Sequence, residues 1–495
     1  MARSGWPGSG GTLGCASCSG EPAVIPAAGG LGLVLAVLGL YVALGIGACF
    51  VRLERRGRPE VAVGVVAGAL LAQTLFYARE SSVPAGLLRP GPLRLAELLL
   101  VAAVAARIWT RWTPMAVSTS GLAWLAFLVW YATTAVVGVE AGNAGPDVLF
   151  HAKLLLHVGG GYLLASGVPV RRLVEPRALR WWLVGFAVIA LVQGVVTLGS
   201  GGQLFPGGPV ELGPDGASMH LALGVLFLAL EATRKKPRLW VVGAMTVTLA
   251  APLFVSQRAT VVHFAASAAA LGLALSGGRL RGRFSVRPVQ VGLLVLALVG
   301  LGLVAWVPAL RKGDTKPAIV TETVDATFGG VGNQQSADAR VLKWDEARAA
   351  YEEHRVLGSG LGAAFTSFRP GIDGVGVYAR SNVYDNSYLD LLVRTGLLGV
   401  VLFAIAMTLS LRDAWLVWTR DPDPVVAALG LAIFAFFAGM LAKGVVESVL
   451  DKVVLSTLFG IAAGVVASAR RSPGTTPSFH PTYVDTGEGT RNGWS

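Results

Sequence analysis

Residues 384–411 read YDNSYLDLLVRTGLLGVVLFAIAMTLSL. A tyrosine, an acid and an amide stand directly before an apolar run, 387–411, that is long enough to cross the hydrocarbon as a helix. Moving outward from it, segments of this kind recur near 30–50, 61–78, 93–109, 119–138, 148–167, 180–199, 217–232, 239–255, 259–276, 288–307, 424–442 and 452–469. The expected fold is therefore all-α: a polytopic transmembrane helical bundle of about 12–13 spans. Composition agrees, since 54% of the 495 residues are hydrophobic and only 14% are charged. Soluble domains carry about a quarter charged residues.

The formal charge of +12 points to topology and not to a polyanion, because the arginines sit between apolar segments. No basic stripe with interleaved aromatics occurs, so nucleic acid is not an expected partner. Three cysteines are too few for a disulfide framework. Cys15 and Cys18 form a C-x-x-C with no second pair and read as incidental thiols or one local disulfide. Cys49 reads as a small residue packed in an apolar segment.

Orientation follows from the connectors. RLERRGR (52–58), RRLVEPRALR (171–180), TRKKPR (233–238), RLRGRFSVR (279–287) and ARR (469–471) are short and basic and fall on one side, which the positive-inside rule makes cytoplasmic. EAGNAGPD (140–147) and the 200–218 connector are poor in Lys and Arg and belong outside. The expected organisation is a flexible leader at 1–29, transmembrane helices at 30–308, an extracytoplasmic loop with short surface helices at 309–386, C-terminal transmembrane helices at 387–469 and a disordered cytoplasmic tail at 470–495. The leader lacks the basic start of a cleavable signal. Within the loop, Arg340, Trp344, Ala347 and Tyr351 share one helical face, which predicts a surface helix over 336–354. Arg340 on that stripe either snorkels or serves a site.

Two helix starts face outward. Ser256, Gln257 and Arg258 form a tight turn, leaving Arg258 at the N-terminal end of a descending helix. A helix N-terminus and a guanidinium together suit a phosphate, although one interfacial arginine can also serve lipid headgroups alone. Asp385 and Asn386 open the second helix, where either is an ordinary cap. A capped carboxylate is also a positioned one, as a general base must be. His220, after the 200–218 loop, falls near the same face and reads as an interfacial histidine or a glycan contact. Gly358, Gly360 and Gly362 lack the Lys-Ser/Thr of a P-loop and predict a sharp turn. Glu97, Lys153 and His157 lie within or near early spans, with partners the sequence does not name.

The order of these features, SQR at 256–258, then R340-V-L-K-W344, G358-S-G360-L-G362 and D385-N386-S-Y388-L389, resembles the superfamily of bacterial O-antigen ligases and O-antigen or exopolysaccharide polymerases, over roughly residues 210–470. The resemblance implies a metal-independent, inverting membrane glycosyltransferase with no cofactor. It would act at the outer face of the inner membrane on a glycan carried by a polyprenyl diphosphate. It implies Arg258 and Arg340 as diphosphate contacts, and its pre-helix pair maps onto Asp385 and Asn386. Asp385 is the expected general base, and Asn386, Tyr388, Gln257 and His220 are the expected substrate contacts. The ligases typically carry histidine where Asp385 stands, and the Asp-Asn form is similar to polymerases. The partners implied are the carrier-linked donor, a glycan or lipid-linked acceptor, the bilayer and a chain-length regulator. The alternative is a ligase that transfers to lipid A core. A flippase is the rival from another class; it predicts repeated halves and midplane charges, and no convincing repeat is found.

Overall fold

The computed structural model describes residues 44–75, 95–110, 118–173, 203–205, 208–209, 258–276, 345–370, 376–381, 386–445 and 447–471. The chain divides into two units, 1–46 and 47–495. Of the first, residues 44–46 are described, and they are helical. The other described residues belong to the second.

Among the helices of the second unit are α1 (Pro59–Leu75), α2 (Leu95–Thr110), α3 (Thr119–Glu140), α4 (Gly145–Leu154), α5 (Gly161–Ala165), α6 (Val170–Leu173), α7 (Arg258–Ser276), α8 (Ser387–Arg420), α9 (Pro424–Gly444) and α10 (Val453–Arg471). A π-helical turn, Leu155–Gly160, joins α4 to α5. The chain is a helical, multi-pass membrane protein: α3, the α4–α5 rod, α8, α9 and α10 are each long and apolar enough to cross a bilayer. Sequence chemistry places their starts. Ser118 caps α3 by accepting from the Gly121 N–H, and Asp423 caps α9 ahead of Pro424 at its first turn.

The core is aromatic and shared by four helices. Trp124 and Phe127 of α3, Phe403 of α8, Phe437 of α9 and Phe459 of α10 pack with ring centroids 5.0–6.0 Å apart along Trp124–Phe127, Trp124–Phe403, Trp124–Phe459, Phe127–Phe403 and Phe437–Phe459. α3 is apolar on its other face too, where Leu122, Leu125, Val129 and Val136 are exposed. A helix apolar all round suits lipid on one side and protein on the other.

Two ends of the bundle can be told apart by their contacts. At one end Arg172 donates to the Gly57 carbonyl at 2.6 Å, Arg107 pairs with Glu54 at 3.2 Å and donates to Ser166 O, and the Gly167 N–H donates to Ser468. There too Arg171 approaches Asp423 and Arg470 approaches Asp413. The basic connectors 52–58, 171–173 and 469–471 thus share one face. The connectors 233–238 and 279–287 lie outside the described residues. At the other end stand 141–144, 355–362, the start of α8 and the 445–452 connector, which hydrogen bonds from Asn143, Asn386 and the 355–361 backbone join together.

Residues 345–353 are helical, as the periodicity predicts. Ala347, on the predicted stripe, is buried with Ala363 and Val393, so this part of the stripe faces protein. The helical expectation does not include two short hairpins, β1 (Gln203–Phe205) with β2 (Gly208–Pro209), and β3 (Phe365–Pro370) with β4 (Gly376–Ser381). The β3–β4 register pairs Phe365 with Ser381 and Phe368 with Tyr378. Aromatic and β-branched residues on either side of a Gly- and Asp-rich turn explain it.

Candidate active site at the converging helix ends

α8 is not one straight rod. Gly396 sits inside it at φ 65°, ψ −173°, a break that would orphan the polar groups on both sides. The segment 355–361 supplies partners. Ser359 N–H donates to Val393 O at 2.7 Å and Gly360 N–H to Arg394 O at 3.1 Å, while Leu397 N–H donates to Arg355 O at 2.9 Å. The Trp130 indole N–H donates to Thr395 O at 3.0 Å. Irregular backbone at a bundle end is tolerated when protein satisfies it in this way. Gly358, Gly360 and Gly362 all have positive φ, as the predicted sharp turn requires. At Gly360 a side chain would also strike the Gly138 backbone of α3, so the loop lies directly on that helix. Asn143 fixes it from the side, donating to Ser359 O and Leu361 O at 3.1 and 2.9 Å.

The part of α8 before the break lies along the 445–451 connector. Asn386 is the N-cap: its Oδ1 accepts from the Tyr388 and Leu389 N–H groups at 2.9 and 3.1 Å, and its Nδ2 donates to Val445 O at 2.8 Å. Ser387 Oγ donates to Glu447 O and accepts from Val449 N–H. The Tyr388 hydroxyl donates to Leu441 O at 2.7 Å. Further along the same helix, Arg394 is buried between Asp390 and Asp451, with Asp451 Oδ1 at 3.3 Å. Burial opposes the charged form of Asp451, but Arg394, His151 and the Ser448 hydroxyl outweigh it and hold the carboxyl below the usual carboxylate range. A depressed folded pKa contributes stability above the unfolded value, near about 4, and loses it as the pH falls below that. The difference in thermal midpoint between wild type and Asp451→Asn is expected to be constant from pH 7 to about 4 and to shrink below it. A difference that shrinks above about pH 5 would contradict the pairing.

α7 reaches the same place. Ser267 Oγ donates to Ala435 O at 3.0 Å, and a side chain at Gly439 would strike the His263 ring, so α7 and α9 run antiparallel with 263–267 against 435–439. Five residues up from His263 is Arg258, the first residue of α7; five residues up from Gly439 is Gly444. Equal rise per residue puts the backbone of Arg258 level with the last turn of α9, where Asn386 is also fixed. Two helix N-termini therefore converge on one level.

Of the residues singled out in the sequence, Asp385, Arg340, Gln257 and His220 lie outside the described residues, as does the side chain of Arg258. Asn386 and Tyr388 make their described hydrogen bonds within the protein. Glu97 accepts from His157 at 3.0 Å and stands 3.4 Å from Lys153, so its carboxylate meets both. They lie at the π turn in mid-bundle, away from the helix ends at Arg258 and Asn386. The sequence reading did not single out Arg394, Asp390, Asp451, Lys443 or Glu447. The signal available was ionisable residues inside or beside apolar runs, with acid and base at i, i+4 in D390-L-L-V-R394.

Residues 216–404 match the family model described as O-Antigen ligase. The matched segment is similar to the O-antigen ligase family. It takes in α7, the 345–381 connector and α8 as far as residue 404, the parts whose motifs carry the sequence resemblance. The O-antigen ligase segment thus contains the docking loop, the break at Gly396 and both converging helix starts, while α9 and α10, which support them, lie beyond it. No curated protein matches the chain. The match supports a likeness of this membrane protein to the O-antigen ligase and polymerase superfamily, whose type is a membrane glycosyltransferase.

Proposed function

We propose that this protein transfers a glycan from a polyprenyl-diphosphate carrier to a sugar hydroxyl at the outer membrane face, and that it acts as a polysaccharide polymerase. The observation that supports this most directly is the convergence of the start of α7, at Arg258, and the start of α8, just after Asp385, on the last turn of α9. In this reading Arg258 and Arg340 hold the diphosphate and offset the charge that develops as the anomeric bond breaks. Asp385 takes the acceptor proton, and attack from the opposite face inverts the anomeric centre. Ala347, which shares the predicted stripe with Arg340, is buried with Val393 of α8, and this supports assigning Arg340 to the site. Asn386 and Tyr388 act as positioning residues that hold the segment bearing Asp385. In this reading Gln257 and His220 contact sugars. The preference for polymerase rests on aspartate at 385.

The test is a one-compartment assay in detergent with a polyprenyl-diphosphate-linked repeat unit. A new glycosidic bond is expected, extending to a ladder with donor alone. A product only when lipid A core is added would make the protein a ligase, and no product at all would favour a flippase. Arg258→Ala is expected to lower the rate about 10²-fold, with partial recovery in Arg258→Lys. An unaltered rate would remove Arg258 from the site.

A further inference from the structure

The end of the bundle opposite Asn386 gathers arginines that the transfer reaction does not use. The helix before α1 ends at Arg55, and Gly57, at φ 67°, closes it: the Arg58 N–H donates to Leu53 O and the Gly57 N–H to Glu54 O. The turn leaves Arg52, Arg55, Arg56 and Arg58 exposed around one tip. Arg172 of α6 reaches across to it, donating to Gly57 O at 2.6 Å. The acids nearby are already engaged. Glu54 is buried against Arg107, Glu60 stands 3.9 Å from Arg172, and Asp423 stands 3.6 Å from Arg171. Among the described residues no acid lies within ion-pair distance of Arg52, Arg55, Arg56 or Arg58. The negative end of a helix favours a cation in its last turn, but not a like-charged group fed from α6 as well. Two further observations give the level and the surroundings of the tip. Trp109, 79% exposed, stands two residues beyond Arg107 on α2, where an interfacial tryptophan marks the headgroups. Val61 and Val65 of α1, one turn apart, are exposed just below Arg58 and offer acyl chains an apolar track.

We propose that the tip formed by Arg52, Arg55, Arg56 and Arg58, with Arg172 beside it, binds the headgroup of an anionic phospholipid of the surrounding bilayer. A guanidinium presents a fork of donors that meets two phosphate oxygens at once. A cluster of basic residues directly beside a membrane helix gains from each anionic headgroup it draws in. The valine track selects a lipid over free phosphate, because it gives the acyl chains a place under the bound headgroup. The site lies at the far end of the bundle from Asn386 and does not depend on the transfer reading.

The experiment measures, by fluorescence anisotropy, binding of labelled phosphatidylglycerol and labelled phosphatidylcholine to the purified full-length protein in detergent. Wild type is expected to prefer phosphatidylglycerol. The combined variant Arg55→Gln, Arg56→Gln and Arg58→Gln is expected to weaken that binding about tenfold or more and to leave phosphatidylcholine unaffected. The matching triple change to Lys, which keeps the charge, is expected to retain more affinity than the Gln variant; equal loss in both would make the effect one of packing and overturn the proposal. Arg348→Gln with Arg355→Gln removes two exposed arginines elsewhere and is expected to bind as wild type does. A loss there as large as at the tip would make the attraction one of net charge alone and overturn the site. Inorganic phosphate at the lipid's concentration is expected not to compete, and equal competition would overturn the choice of a lipid. No preference for phosphatidylglycerol in wild type, or affinity within about twofold of wild type in the Gln variant, overturns the proposal. Should the triple variant fail to fold, Arg56→Gln alone decides: binding is expected to weaken measurably, and unchanged binding overturns the proposal.

Discussion

Asp385→Asn is expected to lower glycan transfer about 10²–10⁴-fold, the range a positioned general base contributes, while leaving the thermal midpoint in detergent unchanged. The separation of the two readouts follows from the cap. A carboxylate at a helix start is ordinarily read as the group that satisfies the first N–H donors. Here that task falls to Asn386, whose Oδ1 accepts from Tyr388 and Leu389. The asparagine substitution keeps the shape of Asp385 while removing the basic oxygen. Asn386→Ala should behave in the opposite order, losing stability through both the cap and the bond to Val445. Near-wild-type turnover in Asp385→Asn would return the carboxylate to a structural role.

Gly396→Val is expected to cost about 3–5 kcal/mol and to lower the thermal midpoint by on the order of 10 °C, with activity lost in parallel. Three causes add. The backbone at φ 65°, ψ −173° belongs to glycine, and any other residue there is strained by about 1–3 kcal/mol. A side chain would strike the Val356 carbonyl and the Gly358 N–H of the docked loop. If the loop is pushed away, the carbonyls of Val393 and Arg394 and the N–H of Leu397 lose the partners they have on it, at about 1 kcal/mol or more for each buried group left unpaired. Protease sensitivity at 355–362 should rise in the same variant. An unchanged melt would mean that the loop does not hold the break together. Because the loop also lies on α3 at Gly138 and is held by Asn143, its loss would loosen the adjoining ends of α3 and α8 at once.

Much of this was legible in the chain, for a definite reason. Hydrocarbon selects for long apolar runs, so α3, α9 and α10 stand out in the sequence almost to the residue. The positive-inside rule is likewise a property of short connectors, and 52–58, 171–173 and 469–471 do share a face. The turn glycines at 358, 360 and 362 were readable because only their backbone matters. Glu97, Lys153 and His157 were visible as ionisable residues in apolar context, but their meeting at Glu97 was not, since it joins helices some 60 residues apart in the chain.

The sequence by itself determined that this is a helical membrane protein, which of its connectors are basic, and which superfamily its motifs resemble, because each of these is written in local composition and order. Only tertiary structure decided that α8 breaks at Gly396 and is completed by a loop from 35–41 residues earlier, that Asn386 and not its neighbour is the cap, and that Lys443 and Lys452 meet at Glu447. Those facts depend on the register between antiparallel helices, and register is fixed by glycine contacts and buried polar pairs between residues far apart in the chain.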